Sequence, residues 1–148
     1  GLMEQPRVYK SRDWKWKGGP ALFNKPIINP QRTDIAQSIE THISVIAPGG
    51  TGQRHGHMNS ALFYIIQGKG YDIHDGKRID YEAGDVIIVE NGCVHQHFNA
   101  SDTEDLISLV MKAKPLFLFM HMLFQKVAEY PPKEPVPGWE HWEPPTDL

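Results

Sequence analysis

The chain has 148 residues, 40% hydrophobic and 22% charged, which is typical of a globular protein and not of a disordered or membrane-spanning one. Its net charge of -3 at pH 7 excludes the strongly basic surface expected of a nucleic-acid-binding protein. Cys93 is the only cysteine, which excludes an intramolecular disulfide and favours a reducing compartment. Residues 115–124, the most apolar stretch, are too few for a membrane helix of about 20 residues. We therefore expect a cytoplasmic protein that binds neither nucleic acid nor membrane.

The first part of the chain predicts an irregular arm followed by a set of short strands. Residues 1–31 are rich in Trp, Lys, Pro and Gly and lack a clean period, apart from one short strand near Ile27. From residue 39 onward, alternating apolar and polar residues are separated by Gly-containing turns, as in an all-β barrel or sandwich. The turn Asp75-Gly76 indicates a tight hairpin. The predicted strands cover residues 39–45, 61–66, 70–74, 77–81, 86–89, 95–99 and 106–112.

The last part of the chain predicts one helix and an extended tail. Pro115 suits the first turn of a helix over residues 115–129, which the two prolines at 131 and 132 end. Because this helix is apolar almost all round, we expect one side to pack on the barrel and the other to form a homodimer interface. The proline-rich tail, residues 130–148, is predicted to be a strap packed on the barrel. We predict a single domain over residues 1–148 with its barrel core at about 35–113.

The distribution of histidines predicts a metal site. His55 and His57 are two residues apart on a predicted strand, so both imidazoles point to the same face, and His95 and His97 repeat this spacing on a later strand. If both strands line one interior, three or four imidazole nitrogens converge, and imidazole suits Fe, Zn, Cu, Ni and Mn. The alternative is a set of ordinary hydrogen-bonded histidines. Two such pairs, each just past a turn in an all-strand chain, favour the metal site.

These residues resemble the two motifs of the cupin superfamily. The first motif, G-x5-H-x-H-x3-4-E-x6-G, aligns with residues 49–68, and the second, G-x5-P-x-G-x2-H-x3-N, aligns with residues 84–99. Every spacing matches, but Ala61 stands in the glutamate position and Glu90 in the proline position. The resemblance implies an all-β double-stranded β-helix, or jelly-roll, barrel of two packed sheets with a metal in its mouth. A cupin that has lost its metal is the alternative, although all three histidine ligands are retained.

Within this superfamily, residues 55–68, with the sequence HGHMNSALFYIIQG, look most like gentisate 1,2-dioxygenases and their salicylate and hydroxynaphthoate relatives. Those enzymes also have alanine in place of the glutamate and a second H-x-H. The resemblance implies non-haem Fe(II) bound by His55, His57 and His95, and cleavage of a ring between hydroxyl-bearing and carboxylate-bearing carbons. Those relatives generally have two cupin domains, whereas one is predicted here.

Three neutral ligands on one face leave about three positions of an octahedral ion open for a bidentate substrate and dioxygen. His97 shares the ligand face and is a fourth ligand, a core group or, as we favour, an acid/base. Gln53, Asn59 and Ala61 lie on the same face and are expected to contact the substrate. Residues expected to be structural or to point away are Arg54, Gln96, Asn99, Cys93 and the histidines at 42, 74, 121 and 141.

Three functions follow from this pattern. The first is an Fe(II) dioxygenase acting on a hydroxylated aromatic acid or a similar oxygen chelator. The second is an isomerase, cyclase, lyase or hydrolase that uses Zn, Mn or Ni as a Lewis acid. The third is a sensor or binding module that holds a small ligand without catalysis. The absence of a linker or DNA-binding element beside the barrel favours an enzyme with a small-molecule substrate.

Overall fold

The computed structural model describes residues 1–148, except for the side chain of Leu2. Its first sheet has six antiparallel strands, and both chain ends pack on its outer face. In spatial order these are β1 (Lys17–Gly18), β2 (Leu22–Ile28), β3 (Glu40–Ile46), β10 (Leu106–Lys112), β5 (Ala61–Gln67) and β8 (Val86–Val89). Single turns of 3-10 helix, Leu2–Glu4 and Ser11–Asp13, precede β1.

The second sheet has five antiparallel strands and carries the histidine motifs. In spatial order these are β11 (Gln125–Glu129), β4 (Arg54–His57), β9 (Val94–Asn99), β6 (Lys69–His74) and β7 (Lys77–Glu82). The sheets face each other across one core, where Phe63 of β5 packs edge-on against Tyr81 of β7 with 5.5 Å between ring centroids. This two-sheet arrangement confirms the all-β jelly-roll barrel that the sequence predicts.

Strand periodicity decides which side chains face the space between the sheets. In β5 the residues Ala61, Phe63 and Ile65 are buried, and those between them are exposed. Each buried Phe or Ile side chain stabilises the fold by about 1.5–3 kcal/mol. The Asp75-Gly76 hairpin is also confirmed, because both residues have positive φ (46° and 85°) and connect β6 directly to β7.

The arm before residue 35 contributes more to the barrel than predicted. Strand β2 is seven residues long and pairs along β3, so the barrel core begins near residue 22 and not at residue 35. Two residues interrupt the alternation of apolar and polar residues that would otherwise indicate β2 in the sequence. Lys25 is buried, with its ammonium donating to the Ser11 carbonyl, and Pro26 lies beside an irregularity in the pairing with β3, where a missing N–H is tolerated.

The predicted helix over residues 115–129 is wrong in length. Helix α1 covers only Lys114–Phe119, His121 has a positive φ of 56°, and Gln125–Glu129 forms strand β11 on the free edge of β4. Phe119 and Phe124 are 54% and 65% exposed, so the apolar residues of this segment are not buried on two sides. Pairing with the edge of β4 overrides the weak local helix preference. None of the helices that the structure describes has the length and apolarity needed to cross a bilayer.

Two further structural predictions are confirmed. The tail is a strap, because Trp142 packs on the apolar outer face of the first sheet and its indole N–H donates to Asp105 at 2.8 Å. Asn99 is a structural residue. Its amide donates to the carbonyls of Ile46, Ala47 and Glu104 at 2.8–3.1 Å and so fixes the loops at one end of the barrel.

Candidate metal centre

Three histidines converge on the inner face of the second sheet. His55 and His57 lie on β4 and point inward together because they are two residues apart. His95 lies on β9 directly opposite His55 in the strand pairing. One ring nitrogen from each histidine lies within 4.8 Å of the other two, and the ring centroids are 4.5–5.4 Å apart. This spacing matches a set of nitrogens that surrounds one ion.

Backbone carbonyls determine which nitrogen of two of these rings is free. His57 Nδ1 donates to the Asn59 carbonyl at 2.6 Å, and His95 Nδ1 donates to the Cys93 carbonyl at 3.2 Å. Since a carbonyl only accepts, the proton is assigned to Nδ1, and Nε2 keeps its lone pair for a ligand. His55 Nδ1 is buried and has no hydrogen-bond partner among the described residues. A buried nitrogen of this kind is available to bind a metal ion.

Burial keeps the three rings neutral at pH 7, which metal ligation requires. It lowers the pKa of His55 to about 4, with a further contribution from neighbouring His57. The backbone of Gln53 acts in the opposite direction and raises this pKa. Burial and the nearby His97 lower the pKa of His95 to about 3, and burial also lowers that of His57. Three neutral imidazoles fit a divalent transition metal better than Mg²⁺ or Ca²⁺, which prefer oxygen ligands.

The structure brings the predicted substrate-contacting residues to the same cavity, which has a volume of about 450 Å³ and also contains the three histidines. Gln53, Asn59 and Ala61 all line it. Asn59 is 1% exposed, and its amide oxygen is buried without a partner among the described residues. Ala61, in the glutamate position, is a small buried residue at the start of β5 and leaves space beside the rings.

Other residues lie where strand alternation places them. Arg54 points outward and is 3.9 Å from the Glu129 carboxylate on exposed β11. Gln96 also points away from the cavity and donates to Thr51 and to the Gly52 carbonyl. Cys93 is 1% exposed and is not among the described residues that line the cavity. Its burial raises the pKa of the thiol to about 11, so it is a small buried residue and not a nucleophile.

His97 belongs to a buried network that the sequence does not indicate. It lines the cavity, and its Nδ1 donates to Asp72 at 2.8 Å, which leaves the lone pair on Nε2. The same carboxylate accepts from Tyr81 Oη at 2.7 Å and from His74 Nε2 at 2.8 Å. Burial alone would raise the pKa of Asp72, but neighbouring His97 and the hydrogen bonds from His97, His74 and Tyr81 hold it below its ordinary value. Asp72 thus fixes the tautomer and orientation of His97.

The wall that faces the three histidines contains polar residues that were expected to be structural or were not singled out. His42 on β3 was expected to be structural but lines the cavity with Ser44, Ser108 and Lys112. These side chains alternate along β3 and β10, so the inward polar positions were the available signal. Burial, followed by the charge of Lys112, lowers the pKa of His42 to about 3.

The lowered pKa of His42 predicts that acid destabilises the folded protein and that replacing His42 reduces this loss of stability. The unfolded chain binds a proton at His42 below pH 6.5, and the folded chain does not. The contribution of neutral His42 to the free energy of unfolding is therefore fully present above pH 6.5 and is lost as pH falls toward 3. At pH 5 the loss at this one ring is about 2 kcal/mol. In urea unfolding of metal-free protein, we expect His42→Gln to lose less stability than wild type between pH 7 and pH 5. Exposed His121→Gln is the control, and equal losses in wild type and His42→Gln would contradict the prediction.

Comparison with known proteins identifies the barrel. Residues 42–111 match the cupin domain family. The chain is 26% identical over 89 residues to a 1-hydroxy-2-naphthoate 1,2-dioxygenase of Nocardioides sp. (strain KP7), a match that covers 60% of this chain and 23% of that protein. It is 33% identical over 69 residues to gentisate 1,2 dioxygenase 1 of Aquipseudomonas alcaligenes, covering 46% and 20%. The chain thus spans less than a quarter of the length of these relatives.

Solved structures show the same fold at lower identity. Salicylate 1,2-dioxygenase from Pseudoaminobacter salicylatoxidans, in adducts with gentisate, superposes with a TM-score of 0.67 at 15% identity, covering 76% of this chain and 30% of that one. The S161A mutant of Bacillus subtilis oxalate decarboxylase OxdC gives 0.63 at 21% identity, covering 70% and 28%. With two packed antiparallel sheets and a match to the cupin domain family over residues 42–111, the chain has a cupin fold and resembles gentisate 1,2-dioxygenase.

Proposed function

We propose that this protein is a metal-dependent dioxygenase that binds one Fe(II) ion through His55, His57 and His95. Its substrate is a hydroxylated aromatic acid or a similar bidentate oxygen donor. The observation that carries the proposal is the convergence of three neutral imidazoles, two of them buried, beside a cavity in which Ala61 replaces the fourth ligand. The dioxygenase relatives support the reaction class.

The residues around the ligands have distinct proposed roles. When bound, Fe(II) supplies the coordination and redox chemistry that allows dioxygen to react with the substrate. His97 accepts the proton of a substrate hydroxyl at Nε2, while Asp72 holds the opposite side of the ring. The unpartnered amide oxygen of Asn59 accepts a hydrogen bond from the substrate, and Gln53 makes a second polar contact. Phe63 and Ile65 form an apolar wall that excludes water from the cavity.

A second candidate is Lewis-acid catalysis with Zn, Mn or Ni in the same site. The donor set favours it, because three histidines with an open position also suit catalytic zinc. The His97–Asp72 pair would serve as the acid/base in such a lyase, isomerase, cyclase or hydrolase. The same pair favours both enzymes over a binding module without catalysis, since ligand binding alone requires no oriented base.

Metal analysis combined with oxygen uptake tests the proposal. The protein is purified without oxygen, its metal content is measured, and oxygen consumption is recorded with gentisate and with salicylate. The dioxygenase proposal expects about one Fe(II) per chain and substrate-dependent oxygen uptake, whereas reconstitution with Zn(II) abolishes uptake. Stoichiometric zinc with no oxygen uptake for any chelating substrate would contradict it and favour the Lewis-acid enzyme.

The assembly and its setting are also proposals. We propose a homodimer whose interface includes the exposed apolar residues of α1 and the following loop, among them Leu118, Phe119 and Phe124. A strict monomer in size-exclusion chromatography with light scattering would contradict it. A single domain over residues 1–148 and a cytoplasmic location remain predictions from the sequence.

A further inference from the structure

The cavity wall opposite the metal ligands is polar in a regular way. Asn24 on β2, Ser44 on β3 and Ser108 on β10 are direct neighbours across three strands, and all three line the cavity. Further along the same strands, His42 and Lys112 also face inward. A purely apolar ligand would leave these groups without partners, which costs free energy when they are desolvated. The wall therefore fits a ligand with polar groups of its own.

The charges around the cavity are of one sign. Lys112 and Lys114 line it together with five histidines, and no Asp or Glu is among its described lining residues. The chain as a whole has 18 acidic and 15 basic residues, so the cavity departs from the charge of the protein. A low-dielectric cleft lined by one sign of charge concentrates ligands of the opposite sign. The cavity thus favours an anion.

Lys112 is the better placed of the two lysines. It is the last residue of β10, its side chain is 21% exposed, and its ammonium lies 3.5 Å from the Glu40 carboxylate of the neighbouring strand. Glu40 is not among the described residues that line the cavity, so it contacts the ammonium from outside the cavity lining. Because an ammonium has three donors, this contact leaves donors for a ligand.

We infer that Lys112 is the anion-recognition residue of this cavity, where its ammonium binds the carboxylate of a small organic acid. Glu40 is the ion-pair partner of that ammonium and competes with the ligand for it, and Lys114 adds a second positive charge. The inference deepens the proposed function and rests on it for the identity of the site, but binding of the anion requires no metal.

A purely structural role for Lys112 makes a different prediction, and Glu40 separates the two. If Lys112 only joins β10 to β3, Glu40→Gln and Lys112→Met break the same ion pair and have the same effect. If Lys112 recognises an anion, Glu40→Gln removes a competing carboxylate and leaves the ammonium available. Lys112→Met then weakens anion binding, and Glu40→Gln does not.

The test compares salicylate with its uncharged amide, salicylamide, by calorimetry on the full chain, both metal-free and loaded with redox-inactive Zn(II). We expect the wild type to prefer salicylate at least about tenfold, Lys112→Met to lose this preference, and Glu40→Gln to keep or increase it. Lys77→Met, at an exposed lysine on β7, is the matched control and should behave as wild type. Thermal unfolding checks that each variant folds. Should Lys112→Met not fold, Lys112→Gln and Glu40→Gln provide the same comparison.

Three results would overturn the inference: no salicylate binding by the wild type up to about 10 mM, corresponding to less than about 3 kcal/mol of binding free energy; equal affinities for the acid and the amide; or parallel losses in Lys112→Met and Glu40→Gln. Failure of the proposed function is distinguishable. Lys112-dependent salicylate binding without oxygen uptake in the iron-loaded protein would contradict the dioxygenase and retain the anion site. Oxygen uptake whose KM for salicylate is unchanged in Lys112→Met would contradict the anion site and retain the dioxygenase.

Discussion

Replacing His57 with alanine is expected to reduce bound metal from about one ion per chain to less than about a tenth after dialysis. The reason is the small number of protein ligands. Only His55 and His95 remain, and the affinity should fall by at least about 100-fold, since even residues that merely orient ligands contribute 10- to 100-fold. Elemental analysis of dialysed protein measures the effect directly.

The control for this variant is His121→Ala, which removes an exposed histidine outside the cavity and should leave the metal content unchanged. Because His57 is buried and its Nδ1 donates to the Asn59 carbonyl, circular dichroism is needed to show that the alanine variant is folded. A folded His57→Ala protein that retains one metal ion per chain would show that the proposed ligand set is wrong.

Replacing Asp72 with asparagine is expected to lower the free energy of unfolding by about 3 kcal/mol. The carboxylate is 0% exposed and accepts from Tyr81, His97 and His74, and an amide has only one oxygen for three donors. Leaving buried donors unpaired costs about 1–3 kcal/mol each, with partial compensation by the remaining oxygen. Because the folded pKa of Asp72 is lowered, its contribution is present above pH 3.8 and is lost as pH falls through the folded pKa. Urea unfolding at pH 7 and at pH 3 measures both effects.

The same variant tests the role of Asp72 in orienting His97. With Asp72→Asn we expect kcat to fall by at least about 100-fold at unchanged metal content, because the amide no longer fixes the proton on His97 Nδ1. Tyr81→Phe removes one donor from the same carboxylate, and should cost only about 1 kcal/mol and little activity. Equal activities in the two variants would show that Asp72 has no special role toward His97.

The convergence of the three histidines was predictable because it depends on local rules. Strand alternation places His55 and His57 on one face, and turns at fixed positions place His95 on a strand of the same barrel. The partner of His97 was not predictable in this way. Asp72 lies directly opposite His97 in the pairing of β6 with β9, and this register is set by the packing of the whole sheet. The sequence shows only an inward polar residue on β6.

The predicted helix over residues 115–129 failed for a different reason, because there a local sequence pattern indicates the wrong structure. An apolar run that begins with proline and stops before two prolines satisfies the rules for a helix. The helix nevertheless ends at Phe119, because residues 125–129 gain a row of backbone hydrogen bonds on the edge of β4. Local propensities are worth less than 1 kcal/mol per residue, so such a tertiary alternative wins easily.

Strand β11 gives the second sheet an uneven distribution of rigidity. All five of its residues are exposed, and it has β4 as its single neighbour in the sheet. Such a strand opens at a lower free energy than the barrel as a whole, because its release exposes little new apolar surface. Its release removes the support from one side of His55 and His57, and it displaces Gln125 from the cavity wall. An easily opened edge strand of this barrel therefore lies next to two of its three proposed ligands, so we expect exchange of metal and entry of substrate to depend on fraying of this strand.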